Sequence, residues 1–303
     1  MFDKIRTKYW KWYDQFLITF FMGWLFLKYP LRFGSGVIRR IVMPFITEAN
    51  EPLMLMLIHY LGFLGVWLVV IAYFMLPRNR PLVKKLIGKT ERHKPIRRFI
   101  RGSLFGFSAI LALILIALLR YAIFIEKTGE SILNIIILLL AMLVQASAEE
   151  ALYRGLIYHR LNRAYSIRML PLIGSSIVFG LIHSLNPGAT VLSTCNLVLF
   201  GFLVGLLAEN TNSIWAPIGF HWLWNFTQTI IFGLPNSGFA PGCSFFRVTN
   251  MHDDFAYNTV FGVEGTLCAF ILLLLLIGAM FYVNEKRRRK LAERNEELTK
   301  SPE

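Results

Sequence analysis

The sequence has little of the polar surface that a soluble protein of its length needs. Only 17% of its 303 residues are charged, whereas 55% are hydrophobic, and the mean hydropathy is +0.53. No series of segments of about 10 residues alternates at period two, which argues against a transmembrane barrel. Several apolar runs approach the roughly 20 residues that cross a hydrocarbon core of about 30 Å. The sequence therefore predicts an all-α fold, a polytopic transmembrane helical bundle.

Several signatures of known chemistry are also missing. The three cysteines, Cys195, Cys243 and Cys268, form neither a CxxC pair nor another metal-ligand spacing, so we expect no disulfide scaffold. The absence of HExxH excludes a soluble zincin, and the absence of GxSxG argues against a serine hydrolase. No Asp occurs in the apolar runs after residue 50, although an intramembrane aspartyl protease needs a pair. No inverted repeat is evident, which disfavours a secondary transporter with a proton relay.

The charge that is present is mostly basic. The formal net charge is +14, and the basic residues are concentrated in segments 78–101, 154–168 and 285–290. Short loops rich in Lys and Arg are typical of the cytoplasmic side of a membrane. We therefore assign these segments to the cytoplasm and the 233–257 loop, whose one basic residue is Arg247, to the outside. A lipid bilayer, and no nucleic acid, is the expected partner of the charged surface.

The apolar runs divide the chain into about eight spans. Their predicted limits are 12–27, 53–76, 104–125, 131–162, 170–185, 190–208, 214–232 and 259–283. We group them into N-terminal membrane helices with a basic cytoplasmic loop (1–130) and a helical core (131–232). An outer loop with the last span (233–283) and a basic, then polar, C-terminal tail (284–303) follow.

The most unusual feature of the core is a pair of carboxylates at the end of an apolar run. Ionisable residues in a membrane segment usually face a protein interior or a water-filled cavity and mark function. Glu150 and Arg154 are four positions apart, so on a helix they are neighbours and predict an ion pair. Glu149 points about 100° away from that face and has no partner within its own helix. This difference makes Glu149 the candidate general base or acid, and Glu150 and Arg154 candidate supporting residues.

Two later runs each contain a histidine. His183 lies one helical turn after Phe179, and His221 lies one turn before Asn225. Taken singly, each histidine is more consistent with a hydrogen bond inside a helical bundle than with a ligand. Asn186, three residues after His183, is either its partner or part of a helix-terminating turn.

The combination suffices for a site that activates water. Two imidazoles can hold a metal ion or polarise a water molecule, a carboxylate can take its proton, and the Asn amide can donate to a developing oxyanion. Zinc sites commonly use such His and Glu sets with one open position. We thus predict Glu149, His183, His221 and Asn225 as catalytic. His183 and His221 are the candidate ligands of a tentative zinc ion, and a mechanism without metal stays open.

The three motifs resemble those of a known family. Glu149-Glu150-x-x-x-Arg154, Phe179-x-x-x-His183 and His221-x-x-x-Asn225 are similar in order and spacing to the motifs of the CPBP family. That family comprises CAAX proteases and bacteriocin-processing enzymes and is called Abi in older usage. Residues 213–220 resemble the usual lead-in to the third motif. The resemblance covers about residues 131–232, and so makes this core CPBP-like.

The resemblance implies an intramembrane endopeptidase, similar to type II CAAX prenyl endopeptidases and of the metalloprotease type if zinc is bound. Glu149 would activate the water that hydrolyses a peptide bond of a membrane-associated protein or peptide. The alternative is a non-catalytic membrane protein with the same fold, such as an immunity or scaffolding factor. We expect a multi-pass protein of a bacterial plasma membrane, with its site in a cavity open to the cytoplasmic half of the bilayer.

Overall fold

The computed structural model describes residues 14–87, 95–167 and 169–300, with side chains except those of 84, 85, 87 and 287–300. Parts of several predictions lie outside these residues. They are the start of the first span at residue 12, the basic residues Lys89, Arg92, Lys94 and Arg168, and the end of the tail at 301–303.

The described residues form helices with one small sheet. The helices are α1 (Asp14–Val42), α2 (Glu51–Gly62), α3 (Leu64–Met75), α4 (Arg80–Ile87), α5 (Pro95–Leu119), α6 (Ile132–Glu150), α7 (Tyr158–Ala164), α8 (Leu170–His183), α9 (Val191–Thr211), α10 (Trp215–Phe226) and α11 (Leu267–Lys300). Two π-helical segments, Ala151–Ile157 and Thr227–Ile231, continue α6 and α10, and short 3₁₀ turns span Met43–Phe45 and Val263–Gly265. Strands β1 (Phe124–Lys127) and β2 (Phe246–Thr249) pair antiparallel, with Phe124 opposite Thr249.

The predicted helical membrane bundle is confirmed. Six stretches in the described ranges are long and apolar enough to cross a membrane: Asp14–Phe45, Glu51–Met75, Pro95–Leu119, Ile132–Ala164, Val191–Thr211 and Leu267–Lys286. About eight spans were predicted. The remaining two correspond to α8, which has 14 residues, and to α10 with its π segment. Both helices are shorter than the roughly 20 residues of an ordinary span.

Three predicted boundaries differ from the structure. The first helix continues past residue 27 to Val42, because Pro30 and the arginines that follow are accommodated within α1. The third span ends at Leu119 rather than 125, since Phe124–Lys127 pairs with β2 instead. The last helix begins at Leu267 rather than 259, because the residues before it belong to the long loop. Composition alone did not reveal these tertiary pairings.

The helix ends meet at two opposite faces. At the first, which we call the basic face, Arg163 Nη1 donates to Asn79 Oδ1 (2.7 Å) and Ile214 N donates to Leu86 O (3.2 Å). These contacts bring together the end of α3, α4, the end of α7 and the start of α10.

The second face carries the longer connections, and we call it the loop face. It consists of segments 43–51, 120–131, 184–190 and 232–266. Arg120 Nε donates to Asp254 Oδ1 (2.6 Å), and Cys243 N donates to Met56 Sδ (3.2 Å). The long loop 232–266 is therefore fastened over the ends of α2, α5 and α8, rather than hanging free of the bundle.

Candidate active site

Helix α6 carries the Glu pair into the middle of the bundle. Ser131 caps its first turn by accepting a hydrogen bond from Asn134 N (3.2 Å). The helical stretch from Ile132 to Ala164 has 33 residues, more than the roughly 20 that a bilayer requires. Glu149 and Glu150 are the last residues of α6, directly before the π-helical segment, and both are buried. Such single π turns occur frequently at functional sites.

Glu150 is held on the closed side of α6. Its Oε1 accepts hydrogen bonds from Arg154 Nη1 (2.9 Å) and from His221 Nδ1 (2.8 Å). Arg154 Nη2 donates to Gly201 O of α9 (2.9 Å). The Glu150–Arg154 ion pair expected from the four-residue spacing is therefore present, and it joins α6 to α9 and α10. Both side chains are almost fully buried, so each supplies the counter-charge the other needs.

Glu149 faces the other way. Its Oε2 lies 3.5 Å from His221 Nε2 and has no hydrogen-bond partner among the described residues. Because Glu150 fixes Nδ1 of the same imidazole, Nε2 is directed toward Glu149. Glu150 thus orients the histidine through Oε1, while its own Oε2 also has no hydrogen-bond partner among the described residues. What sets Glu149 apart is that it lines a cavity.

His183 ends α8 at the same depth. Its Nδ1 lies 2.8 Å from Phe179 O, and since a carbonyl oxygen only accepts, Nδ1 carries the proton. Nε2 then retains a lone pair when the ring is neutral. The Phe179 ring packs against this imidazole with centroids 4.4 Å apart. The Asn186 side-chain amide donates a hydrogen bond to Ser237 O (3.0 Å). Asn186 therefore holds the long loop rather than His183.

Close packing of α10 against α5 places His221 and Asn225. A Cβ added at Gly102 or Gly106 would collide with the carbonyl oxygen of Ala216 or Phe220, respectively. Glycine at these positions lets the two helix backbones approach each other, as small residues do in membrane bundles. His221 and Asn225, one turn apart, are both buried.

The four predicted catalytic residues line one cavity of about 700 Å³. Glu149, His183, His221 and Asn225 all line it, whereas Glu150 and Arg154 do not. Much of the remaining wall is apolar and comes from α1, α2, α8 and α9, including Leu27, Leu31, Leu55, Met56, Phe63, Ile182, Leu197 and Phe200. The three motifs, distant in sequence, therefore converge on one polar floor with apolar walls.

Several polar residues that line this cavity were missed, and they include Gln145, Thr229 and Glu264. Gln145 lies one turn before Glu149, and Thr229 lies one turn after Asn225; both line the cavity. Glu264 is buried and accepts hydrogen bonds from Trp224 Nε1 (3.0 Å) and Ser237 N (2.8 Å). The four-residue spacing to a motif residue was a signal for the first two. For Glu264, the signal was an acidic residue just before an apolar run.

The predicted zinc ligands do not form a three-ligand site. Catalytic zinc ordinarily takes three protein ligands. Among the described residues, no group of three or more His, Cys, Asp or Glu side chains is arranged to hold a metal ion. Glu149 and His221 Nε2 face each other, but His183 does not complete a set with them. We therefore derive no step through zinc, and the zinc prediction stays a prediction.

Comparison with known proteins agrees with the motifs. The family model described as type II CAAX prenyl endopeptidase Rce1-like matches residues 130–227. A search of curated proteins finds no match. All six predicted site residues lie inside the matched segment. The segment 130–227, which contains the cavity floor, is thus similar to type II CAAX prenyl endopeptidases of the Rce1-like family, as the three motifs predicted.

Proposed function

We propose that this protein is an intramembrane endopeptidase in which Glu149 activates the water that hydrolyses a peptide bond. The family match supports a CAAX-type intramembrane protease in general and a membrane-associated protein substrate. The observation that carries the proposal is that Glu149, which has a carboxylate oxygen with no hydrogen-bond partner among the described residues, lines one cavity with two histidines and an asparagine. We place the protein in a bacterial plasma membrane.

The proposed first step uses only side chains of this chain. Glu149 Oε2 takes a proton from water while the water oxygen forms a bond to the carbonyl carbon of the scissile peptide. The carbonyl π electrons move onto the oxygen and form a tetrahedral oxyanion. His183 Nε2 accepts a hydrogen bond from the same water and orients it. A buried, apolar wall strengthens these interactions, because little bulk water competes with them.

The second step returns the proton. The Asn225 amide donates a hydrogen bond to the oxyanion, and His221, oriented by Glu150, lies beside Glu149 as the charge shifts. The tetrahedral intermediate collapses, the carbon–nitrogen bond breaks, and protonated Glu149 gives its proton to the leaving amine. Glu149 is then a carboxylate again. Acid–base catalysis by one positioned carboxylate contributes about 10²–10⁴ in rate.

A comparison of peptide termini in membranes tests this proposal. Cells containing the wild type, Glu149→Gln, His183→Ala, His221→Ala or the control Glu126→Gln are compared by terminal proteomics. Glu126 is an exposed carboxylate that pairs with Arg247 outside the cavity, so it controls for the same chemical change. We expect one or more termini to be lost in the three site variants and kept in the control. Unchanged termini, with all proteins present in the membrane, would favour the non-catalytic scaffold.

A further inference from the structure

The cavity is not equally exposed at both ends. Glu149, His221 and Asn225 are at most 4% exposed, so they form the closed floor. The exposed residues that line the cavity come from the first three turns of α2 and from the long loop: Glu51, Pro52, Leu55, His59, Phe239, Ala240 and Gly242. Both elements lie at the loop face. The mouth of the cavity is therefore at the loop face, opposite the basic face.

The two faces carry different charge. The described parts of segment 78–101, which lie at the basic face, contain seven Lys and Arg residues and no acidic residue. The four segments of the loop face together contain three basic residues, Arg120, Lys127 and Arg247, against seven acidic ones, and Arg39 and Arg40 end α1 directly before the first segment. Lys and Arg in short loops set the orientation of a membrane protein and stay in the cytoplasm. The charge difference places the basic face inside and the cavity mouth outside.

Helix lengths explain why the sequence suggested the opposite. Glu149 is closer in sequence to the basic residues that begin at Arg154 than to the start of α6 at Ile132, so a cavity on the cytoplasmic side was expected. However, the Ile132–Ala164 stretch is long, and Glu149 lies near its middle, whereas α8 has only 14 residues. His183 therefore stops at the depth of Glu149, and the space above it is left open toward the loop face.

From this geometry we infer that the site takes its substrate from the extracytoplasmic side of the membrane. The substrate class would be an extended peptide segment with an apolar flank, on a protein anchored at or exported across the bilayer. The polar floor receives its backbone, and the apolar wall of Leu27, Leu31 and Leu55 receives the flank. The cleavage itself rests on the proposed function, whereas the direction of entry does not.

Cysteine accessibility tests the direction of entry. In a chain with Cys195, Cys243 and Cys268 replaced by serine, single cysteines are placed by Ala240→Cys at the mouth and Arg78→Cys at the basic face. A charged, membrane-impermeant methanethiosulfonate is applied to intact cells and to inside-out vesicles. We expect Ala240→Cys to react in intact cells and Arg78→Cys only in vesicles. The reverse pattern, or reaction of both from the same side, would overturn the inference.

A third position tests access to the cavity itself. Met56 lines the cavity and is 8% exposed, so Met56→Cys reports whether water reaches the wall. We expect it to react in intact cells, more slowly than Ala240→Cys, and not from the cytoplasmic side. Reaction only in inside-out vesicles would overturn the inference. Because the readout is labelling, these results stand whether or not Glu149 proves to be catalytic.

Discussion

The two sides of α6 differ in how their charges are satisfied. On the closed side, Glu150, Arg154 and Nδ1 of His221 form a connected set that reaches the backbone of α9. On the cavity side, Glu149 Oε2 has no hydrogen-bond partner in the described parts of the chain. A buried polar group costs free energy unless it is paired. Glu150 Oε2 has no partner among these residues either, but Glu150 is fixed through Oε1 and lies outside the cavity lining. The closed side thus connects three helices, whereas Glu149 faces the cavity.

The largest expected effect is on the cavity side. Glu149→Gln preserves shape but removes the proton acceptor, so we expect cleavage of the substrate peptide to slow by about 10²–10⁴. The unfolding temperature in detergent should change little, because this oxygen makes no hydrogen bond that the variant would lose. Cleavage rates and thermal unfolding are measured on the same preparations. If Glu150→Gln abolished cleavage while Glu149→Gln did not, the roles of the two carboxylates would be exchanged.

The next effect is on the closed side. Glu150→Ala leaves the Arg154 guanidinium buried without its counter-charge, so we expect a loss of about 3–5 kcal/mol in the free energy of unfolding. The matched control is Glu126→Ala, which breaks an exposed ion pair with Arg247 and should cost about 0–1 kcal/mol. Denaturation in mixed micelles measures both.

The double variant Glu150→Ala/Arg154→Met sharpens this test. It removes both charges together, so it should be less destabilised than the sum of the two single variants. A loss in Glu149→Ala as large as that in Glu150→Ala would contradict the distinction between the closed side and the cavity side.

A smaller effect is expected at the contact between α5 and α10. A side chain at Gly106 would press on the Phe220 carbonyl and move α10 away, so Gly106→Ala should cost about 1–3 kcal/mol. Since His221 lies next to Phe220, cleavage should also slow. Gly278→Ala is the control, because an added Cβ there meets nothing within 4 Å. Equal effects of the two substitutions would show that the backbone approach does not position the site.

The smallest effect is at the loop face. The hydrogen bond from Arg120 lowers the pKa of Asp254 to about 2 from 3.8, and the same bond raises the pKa of Arg120. Because the carboxylate is favoured in the folded state, its contribution to stability is present above about pH 4 and is lost as the pH falls toward 2. Asp254→Asn should therefore flatten the dependence of unfolding temperature on pH in this range. An unchanged slope would show that this pair does not hold the loop.

Much of the site could be predicted from spacing. Positions four apart on a helix share a face, so the Glu150–Arg154 pair and the common face of His221 and Asn225 followed from their numbers. The sequence also predicted that the three helices carrying the motifs meet at one site, because their polar residues together suffice to activate water. Gln145 and Thr229 followed the same rule but were overlooked. Glu264 lies beyond the last motif, and only the fold of the long loop brings it to the cavity.

The sequence by itself determined the class of fold, the helix faces and the basic segments, because hydropathy, helical periodicity and charge act locally along the chain. Only the tertiary structure decided that Glu150 also holds His221 and that Glu149 lines the cavity, since both depend on where α9 and α10 pack against α6. It also decided the depth of His183 and the side on which the cavity opens. Both depend on the short α8 and on the long loop fastened over the bundle, which are contacts between distant segments.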